Sequence, residues 1–274
     1  MKAVNARILL TGANGGIGQA SALALLKGGA AVMLVGRSPA AMATLARTLE
    51  ATAAVTADRI AWHAADLRQP AEIDSLADAA RRWRCNVLVH NAGVASFGRF
   101  EAMRAAEMAE VMQINLLAPM QLTHALLPLL REMPAAQVIC IGSALGRLGL
   151  PGYSVYSASK FGLRGFAEAL RRELGDTTVR VQYLGPRSTR TSFNTEAAEA
   201  YNRATGTASD TPERVAQALL DLLESGQAER FLGFPETLAV RINGMVPALL
   251  DGAFKKHRDS LPHLPPITQI QTQE

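Results

Sequence analysis

Two cysteines, Cys85 and Cys140, are all that the 274 residues contain, and each sits inside an apolar, strand-like run. So small a supply argues against a disulfide framework and reads as two buried hydrophobes in a reducing compartment. The sequence also lacks any run of about 20 apolar residues that would span a bilayer. Its N-terminus passes into a strand without a segment of the export type. Internal repeats and low-complexity tracts are missing too, which argues against a solenoid or a disordered chain. These absences lead us to expect a cytoplasmic protein. A net charge of +4 with a pI near 9.3 raises the question of a nucleic-acid partner. The basic residues are scattered over helical stretches, as at Arg81, Arg82, Arg84, Arg171 and Arg172, and only Lys255-Lys256-His257-Arg258 forms a block. That pattern is a solvated face, so no nucleic acid is expected.

What the chain does have is apolar content, 49% of its residues, enough for the core of one large domain. Apolar runs alternate with amphipathic helical stretches, the pattern of an α/β, Rossmann-type doubly wound parallel sheet. Strands are predicted near 6–11, 30–36, 59–65, 86–90, 136–142, 178–184 and 229–234. Two long helical segments run from Ala102 to Leu130, with bends at Pro119 and Pro128, and from Ser154 to Leu174. Residues 1–234 are thus expected to form one domain and 235–274 a C-terminal helical extension. In the extension Leu238, Ile242, Met245 and Leu249 follow one helical stripe, with Val246, Leu250 and Phe254 beside it. Such a stripe packs on the domain or on a partner subunit; the alternative is attachment to a membrane surface, helped by Lys255, Lys256 and Arg258.

Two motifs carry chemistry. After the first strand comes Gly12-Ala13-Asn14-Gly15-Gly16-Ile17-Gly18, followed by an alanine-rich helix. Strand, glycine turn and helix N-terminus make a dinucleotide site. Gly12 allows the turn, Gly16 lets the backbone approach a pyrophosphate, and Gly18 permits close helix packing. The second motif is Tyr156-Ser157-Ala158-Ser159-Lys160 with Ser143 upstream. Positions i and i+4 share a helix face, so the ammonium of Lys160 is expected beneath Tyr156, pulling the phenol below its usual pKa near 10 so that it moves protons at neutral pH.

Taken together, Thr11-Gly12-x-x-x-Gly16-x-Gly18, Asn91-Ala92-Gly93, Asn115, Ser143 and Tyr156-x-x-x-Lys160 resemble the short-chain dehydrogenase/reductase family over roughly residues 6 to 234. The resemblance implies that Tyr156 exchanges a proton with a carbonyl or alcohol oxygen while hydride passes between substrate and nicotinamide. Lys160 would lower the tyrosine pKa and hold the nicotinamide ribose, Ser143 would bond the substrate oxygen, and Asn115 would anchor a water that relays protons to Lys160. Cofactor contacts are implied for Gly12, Asn14, Gly16, Ile17, Gly18, Arg37, Asp66, Leu67, Asn91, Ala92, Gly93, Tyr156, Lys160, Pro186, Thr189 and Thr191. No metal is expected.

The second strand ends Val35-Gly36-Arg37-Ser38. An acid there would bind a ribose 2′-OH; here glycine occupies the acidic position and arginine follows, so NADP(H) is predicted. Two departures from the family stand out. His90 occurs where an asparagine is frequent, and Arg187 follows Pro186 where glycine is usual, which alters the loop before Thr191. A lid is expected from Thr191 to Asp210 over an apolar wall after Ser143, with Arg187, Arg190 and Arg203 either solvated or meeting a substrate anion. The expected activity is reduction of an apolar ketone or aldehyde, or the reverse oxidation. Fatty-acyl ketoreductase and sterol- or retinoid-type alcohol dehydrogenase remain open within that class, and an NADP(H) sensor without turnover outside it. The family's subunit contacts fall on the two long helical segments, so a homodimer or homotetramer is expected.

Overall fold

The structure is a computed structural model and describes residues 1–233 and 243–262. Seven parallel strands form one sheet, β1 (Arg7–Thr11), β2 (Ala31–Gly36), β3 (Ile60–Ala64), β4 (Val87–His90), β5 (Ala136–Ile141), β6 (Val179–Gly185) and β7 (Glu229–Phe231). Their order is β3-β2-β1-β4-β5-β6-β7. The chain therefore winds outward from β1 to β3, returns to place β4 beside β1, and winds outward again to β7. This is the doubly wound Rossmann-type sheet, with its switch point between β1 and β4.

The helices are α1 (Gly16–Lys27), α2 (Pro39–Ala53), α3 (Pro70–Arg82), α4 (Ala105–Met112), α5 (Ala118–Glu132), α6 (Ser154–Glu173), α7 (Glu196–Thr205), α8 (Pro212–Ser225) and the short α9 (Lys255–Asp259). Alternation along the strands builds two cores. Ile8, Leu10, Val32, Leu34, Val87, Val89, Ile139 and Ile141 face α1, α2 and α8. Leu9, Met33, Val35, Leu88, Val138, Cys140, Val181 and Tyr183 face α3, α5 and α6. Strands buried on both faces read as continuous apolar runs, which is why they stand out in the sequence. Cys85 and Cys140 are free and buried in the second core, where burial pushes their thiols up to about 11 and about 12.

The segment predicted as one helix from Ala102 to Leu130 is interrupted. A 3-10 turn spans Phe100–Ala102, α4 begins at Ala105, and a π-helical turn over Gln113–Leu117 separates α4 from α5. The break spans Asn115, and Pro119 has no N–H to return to the Asn115 carbonyl four residues back, so the bend expected at Pro119 coincides with the π turn, while Pro128 is accommodated inside α5. Asn115 is wholly buried and its amide bonds outside the helix, and a π turn lets a residue be displaced to do so.

The C-terminal stripe also differs from a single α-helix. Leu238 and Ile242 lie outside the described residues. Pro247 holds Val246 out of the helical region, at φ −142° and ψ 71°. A 3-10 stretch, Pro247–Phe254, then leads into α9. The described part of this tail is tied to the domain. Asn243 Nδ2 donates to Arg147 O at 2.7 Å, and Arg99 Nε donates to Pro262 O at 2.8 Å. His257 Nδ1 and the Tyr201 hydroxyl share a hydrogen bond of 2.6 Å. Among the described residues, no helix is long and apolar enough to cross a membrane.

Candidate active site

A cavity of about 600 Å³ opens at the carboxyl ends of the strands, where ligands of such sheets bind. All the expected cofactor contacts line it, together with Ser143, Tyr156 and Lys160. Asn115 does not line it and is buried behind the wall.

At one end the wall is backbone. Gly12 turns at φ +65°, and a Cβ there would lie 2.7 Å from Ala92 Cα, so the glycine turn and the Asn91-Ala92-Gly93 loop pack directly together. Asn91 Nδ2 donates to the carbonyls of Thr11 and Gly12, both at 3.0 Å, and the buried Thr11 hydroxyl accepts from the N–H groups of Asn91 and Ala92 at 3.0 Å. A Cβ on Gly18 would fall 2.2 Å from Gly12 O. Helix α1 opens at Gly16, and its N-cap, Gly15, offers no side-chain cap. Its N-terminus thus meets the cavity as an anion site. This backbone cradle fits a dinucleotide pyrophosphate.

Further along the same end, a Cβ on Gly36 would meet Met42 Sδ and Cε at 2.9 and 2.8 Å. Met42 therefore occupies the space into which an acidic side chain at position 36 would project. Arg37 lines the cavity, is exposed, and has no ion pair among the described residues. Asp66 is bridged at 2.6 Å by Arg68, whose hydrogen bonds hold its carboxyl below the usual range, with Arg37 adding to the effect. His90 is buried, shares a 2.7 Å hydrogen bond with the Thr123 hydroxyl, and is pushed down to about 3 by burial.

The other end is made by side chains. The π turn carries Asn115 to the loop after β4, where its Oδ1 accepts from Val94 N at 2.8 Å. Its Nδ2 donates to Val94 O at 3.0 Å and to Ser159 Oγ at 3.1 Å. The side chain is thus engaged by protein groups on both its oxygen and its nitrogen. Gly93 sits between Asn115 and Lys160, since a Cβ there would lie 3.1 Å from Asn115 Oδ1 and 3.7 Å from Lys160 Nζ. Ser143 ends the β5 turn, and its Oγ accepts from Leu145 N at 3.0 Å and lies near enough to the Tyr156 phenol to oppose the effect of burial on it.

The expected lowering of the Tyr156 pKa is not what this geometry produces. Burial pushes the phenol up and the Ser143 hydroxyl only opposes it. Lys160 Nζ lies 5.7 Å from the Tyr156 ring centroid and donates to Ile141 O at 3.4 Å, and its charge is not among the causes that shift the phenol. Lys160 is itself buried and is lowered to about 8 by desolvation.

The lid carries α7, capped by Thr195 and ended by Gly206 at φ +75°. Thr191 folds over the glycine turn, since a Cβ on Gly16 would lie 2.5 Å from its methyl. Pro186 O accepts from Ala144 N at 2.7 Å, and the Thr189 hydroxyl donates to Arg187 O at 3.1 Å. Arg187 turns toward the buried Asp210, with Nη2 3.0 Å from its carboxylate, which Arg214 also meets at 2.9 Å. Arg203 pairs with Glu199 at 4.0 Å. Arg187 is thus tied to the end of the lid, neither solvated nor substrate-facing, whereas Arg203, 73% exposed, and the exposed Arg190 are solvated lid charges. The wall beside Tyr156 is apolar and aromatic, with Phe97, Leu145, Leu148, Leu150, Tyr153 and Phe193. Phe97 and Tyr153 stack 4.8 Å apart, and Phe193 lies 6.2 Å from the Tyr156 ring.

The short chain dehydrogenase family model matches residues 6–202. The chain belongs to that family. It is similar to the ketoacyl reductase HetN of Nostoc sp., 33% identical over 225 residues that cover 81% of this chain and 76% of that protein. A 3-dehydrosphinganine reductase of Danio rerio is 28% identical over 228 residues, 80% of this chain and 69% of that one. Among solved structures, a short-chain dehydrogenase from Streptomyces avermitilis superposes with a TM-score of 0.76 at 28% identity, covering 93% of this chain and 98% of its own. Members of this family are oxidoreductases that use nicotinamide cofactors on small-molecule substrates and are commonly oligomeric.

One residue that shapes the site was not read from the sequence: Tyr183 reaches Ser143 from the neighbouring strand. Tyr201, which falls in the expected lid, closes it over Pro151 O at 3.1 Å. The available signal for Tyr183 was a bulky phenol in a strand, opposite the Gly142 and Gly146 turn.

Proposed function

We propose that this short-chain dehydrogenase is an NADP(H)-dependent reductase of an apolar ketone or aldehyde, able to run in reverse as an alcohol dehydrogenase. The observation that carries this is the convergence of Ser143, Tyr156 and Lys160 on an apolar wall in the same cavity as the glycine cradle. When bound, the dinucleotide supplies or accepts the hydride. The pyrophosphate is assigned to Gly12, Asn14, Gly16, Ile17 and Gly18. The adenosine side falls to Arg37, Asp66, Leu67 and Asn91-Ala92-Gly93, and the nicotinamide side to Tyr156, Lys160, Pro186, Thr189 and Thr191. The preference for a 2′-phosphate rests on the Arg37 cation, which has no ion pair among the described residues, and on Met42 beneath Gly36, which leaves no acidic side chain at that position.

The chain's own chemistry is proton transfer. Tyr156, held neutral by burial, gives its proton to the carbonyl oxygen as that oxygen becomes an alcohol. Ser143 Oγ accepts from Leu145 N with one of its two lone pairs, and its hydroxyl hydrogen, beside Tyr156, is the donor for the developing charge on the substrate oxygen. Lys160, near 8, is the group able to return a proton to the phenol. Asn115 holds the wall against α6. The substrate class follows from the apolar wall and from similarity to proteins named for ketoacyl and dehydrosphinganine reduction. The reading also puts the protein in the cytoplasm, as a homodimer or homotetramer through the segment from α4 to α5 and through α6, where Leu117, Met120 and Phe161 are exposed. Residues 235–274 form its C-terminal extension.

The test is oxidation of NADPH and NADH in parallel against acetoacetyl thioesters, medium-chain ketones and aldehydes, and steroid ketones. Turnover with NADPH well above NADH is expected. Tight NADPH binding with no turnover of any member would favour the sensor.

A further inference from the structure

We propose that Tyr183 is a positioning residue, which fixes the reactive serine, Ser143, by clamping its backbone from the adjacent strand. This deepens the functional reading above and rests on it. Tyr183 lies in β6, opposite Cys140 of β5, and is 2% exposed in the core beneath α6. Its ring packs 5.7 Å from Phe231 of β7, so the phenol has a fixed origin. Its hydroxyl accepts from Ser143 N at 3.0 Å and donates to Ser143 O at 2.9 Å. One phenol thus uses its single proton and a lone pair to bind both backbone polar groups of one residue.

The loop is shaped around that hydroxyl. A Cβ on Gly142 would lie 2.0 Å from it and a Cβ on Gly146 2.1 Å. Neither glycine needs its freedom for a positive φ, since neither is among the residues with one. What they share is a side chain's worth of space, filled by Tyr183. Ser143 O also accepts from Gly146 N at 3.0 Å, and Ala144 N donates to Pro186 O at 2.7 Å, so the turn is held at successive residues. With the backbone fixed, Leu145 N sets the direction of Ser143 Oγ. Burial pushes the Tyr183 phenol up, so it stays a neutral donor across the working pH range. Its role is to act through Ser143, since it does not line the cavity.

The experiment compares Tyr183→Phe, Ser143→Ala and the double variant. Removing one supporting hydrogen-bond partner should lower kcat by roughly tenfold in Tyr183→Phe, with NADPH affinity unchanged. In the Ser143→Ala background the same change should cost almost nothing further, because the serine it positions is gone. A loss that is additive in the double variant, or wild-type kcat in Tyr183→Phe, would overturn the proposal. Amide hydrogen exchange reads the clamp without turnover: Ser143 should exchange roughly tenfold faster in Tyr183→Phe while Ile141 and Leu184 keep their protection. Unchanged exchange at Ser143 overturns it even if no substrate is found, and a fall in activity through Tyr156→Phe tests the functional reading separately. Should Tyr183→Phe fail to fold, Gly146→Ala crowds the same hydroxyl from the other side, and faster exchange at Ser143 is again the expected result.

Discussion

Gly12, Gly16 and Gly18 shape one end of the cavity by having no side chains, whereas Ser143, Tyr156 and Lys160 shape the other with side chains held by buried partners. The glycine end is fixed by sterics, and a single Cβ at Gly18 would meet a carbonyl oxygen at 2.2 Å. The reaction end is fixed by hydrogen bonds drawn from β5, β6 and the loop after β4. The first end should therefore fail through stability and cofactor binding, and the second through turnover with binding intact.

The largest effect expected from breaking the second end alone is that of Tyr156→Phe. Loss of the proton donor should lower kcat by roughly two to four orders of magnitude while NADPH binding is retained. Equal losses in binding and turnover, read by fluorescence titration beside steady-state kinetics, would erase the contrast between the ends. At the first end, Gly18→Ala forces the close contact with Gly12 and Ala13. About 1–3 kcal/mol of stability should be lost, with weaker NADPH binding, as measured by urea denaturation with and without NADPH. Wild-type stability would mean that the turn yields easily and that sterics do not fix it.

Between the ends lies His90, which links the strand before Asn91 to α5 through Thr123. Burial holds it at about 3 in the folded chain, against about 6.5 when unfolded. Its depressed value means that the unfolded chain binds the extra proton first. Its contribution is full above the unfolded pKa and is lost as pH falls from about 6.5 toward 3. At pH 5 this should amount to about 2 kcal/mol. His63 and His257 are lowered in the same direction and add to the same acid limb. His90→Asn should flatten the slope of stability between pH 7 and pH 5; an unchanged slope would show that His90 is not its main source.

The same contrast explains what the sequence made legible. The seven strands and the glycine turn were readable because burial on both faces and missing side chains leave their mark in local composition. Tyr156 and Lys160 were readable because helix spacing places them on one face. The raised Tyr156 phenol was not, because it depends on how deeply the fold buries the ring and on where Lys160 Nζ points. Pro119 marked the bend, but the π turn at Asn115 was hidden, since the partner its side chain meets is a loop after β4. Tyr183 was missed because its clamp joins residues 40 positions apart. Arg187 could be flagged as a departure, but its partner Asp210 comes from the far side of the lid.

A smaller effect sharpens the glycine end. Arg37→Ala removes an exposed cation with no ion pair among the described residues, so stability should not change. KM for NADPH should rise roughly tenfold, the size of one lost charge-assisted contact, while KM for NADH stays the same. Parallel kinetics with the two cofactors decide this, and an equal rise for both would remove the 2′-phosphate argument.

The smallest effect is expected at the rim, where neither end's rule applies. Tyr201 has one hydroxyl proton, donated to Pro151 O at 3.1 Å, and it also meets His257 Nδ1 at 2.6 Å. Through this pair the tail touches the lid without touching Ser143, Tyr156 or Lys160. His257→Ala should therefore raise substrate KM by roughly twofold to threefold, consistent with one partly exposed hydrogen bond, and leave kcat and both cofactor constants unchanged. Tyr201→Phe removes the bonds to both the loop and the tail and should raise KM further, again at constant kcat. A drop in kcat in either variant would place the rim within the reaction end, since the lid would then be aligning Tyr156 through Tyr153 and Phe193 and not merely closing over the substrate.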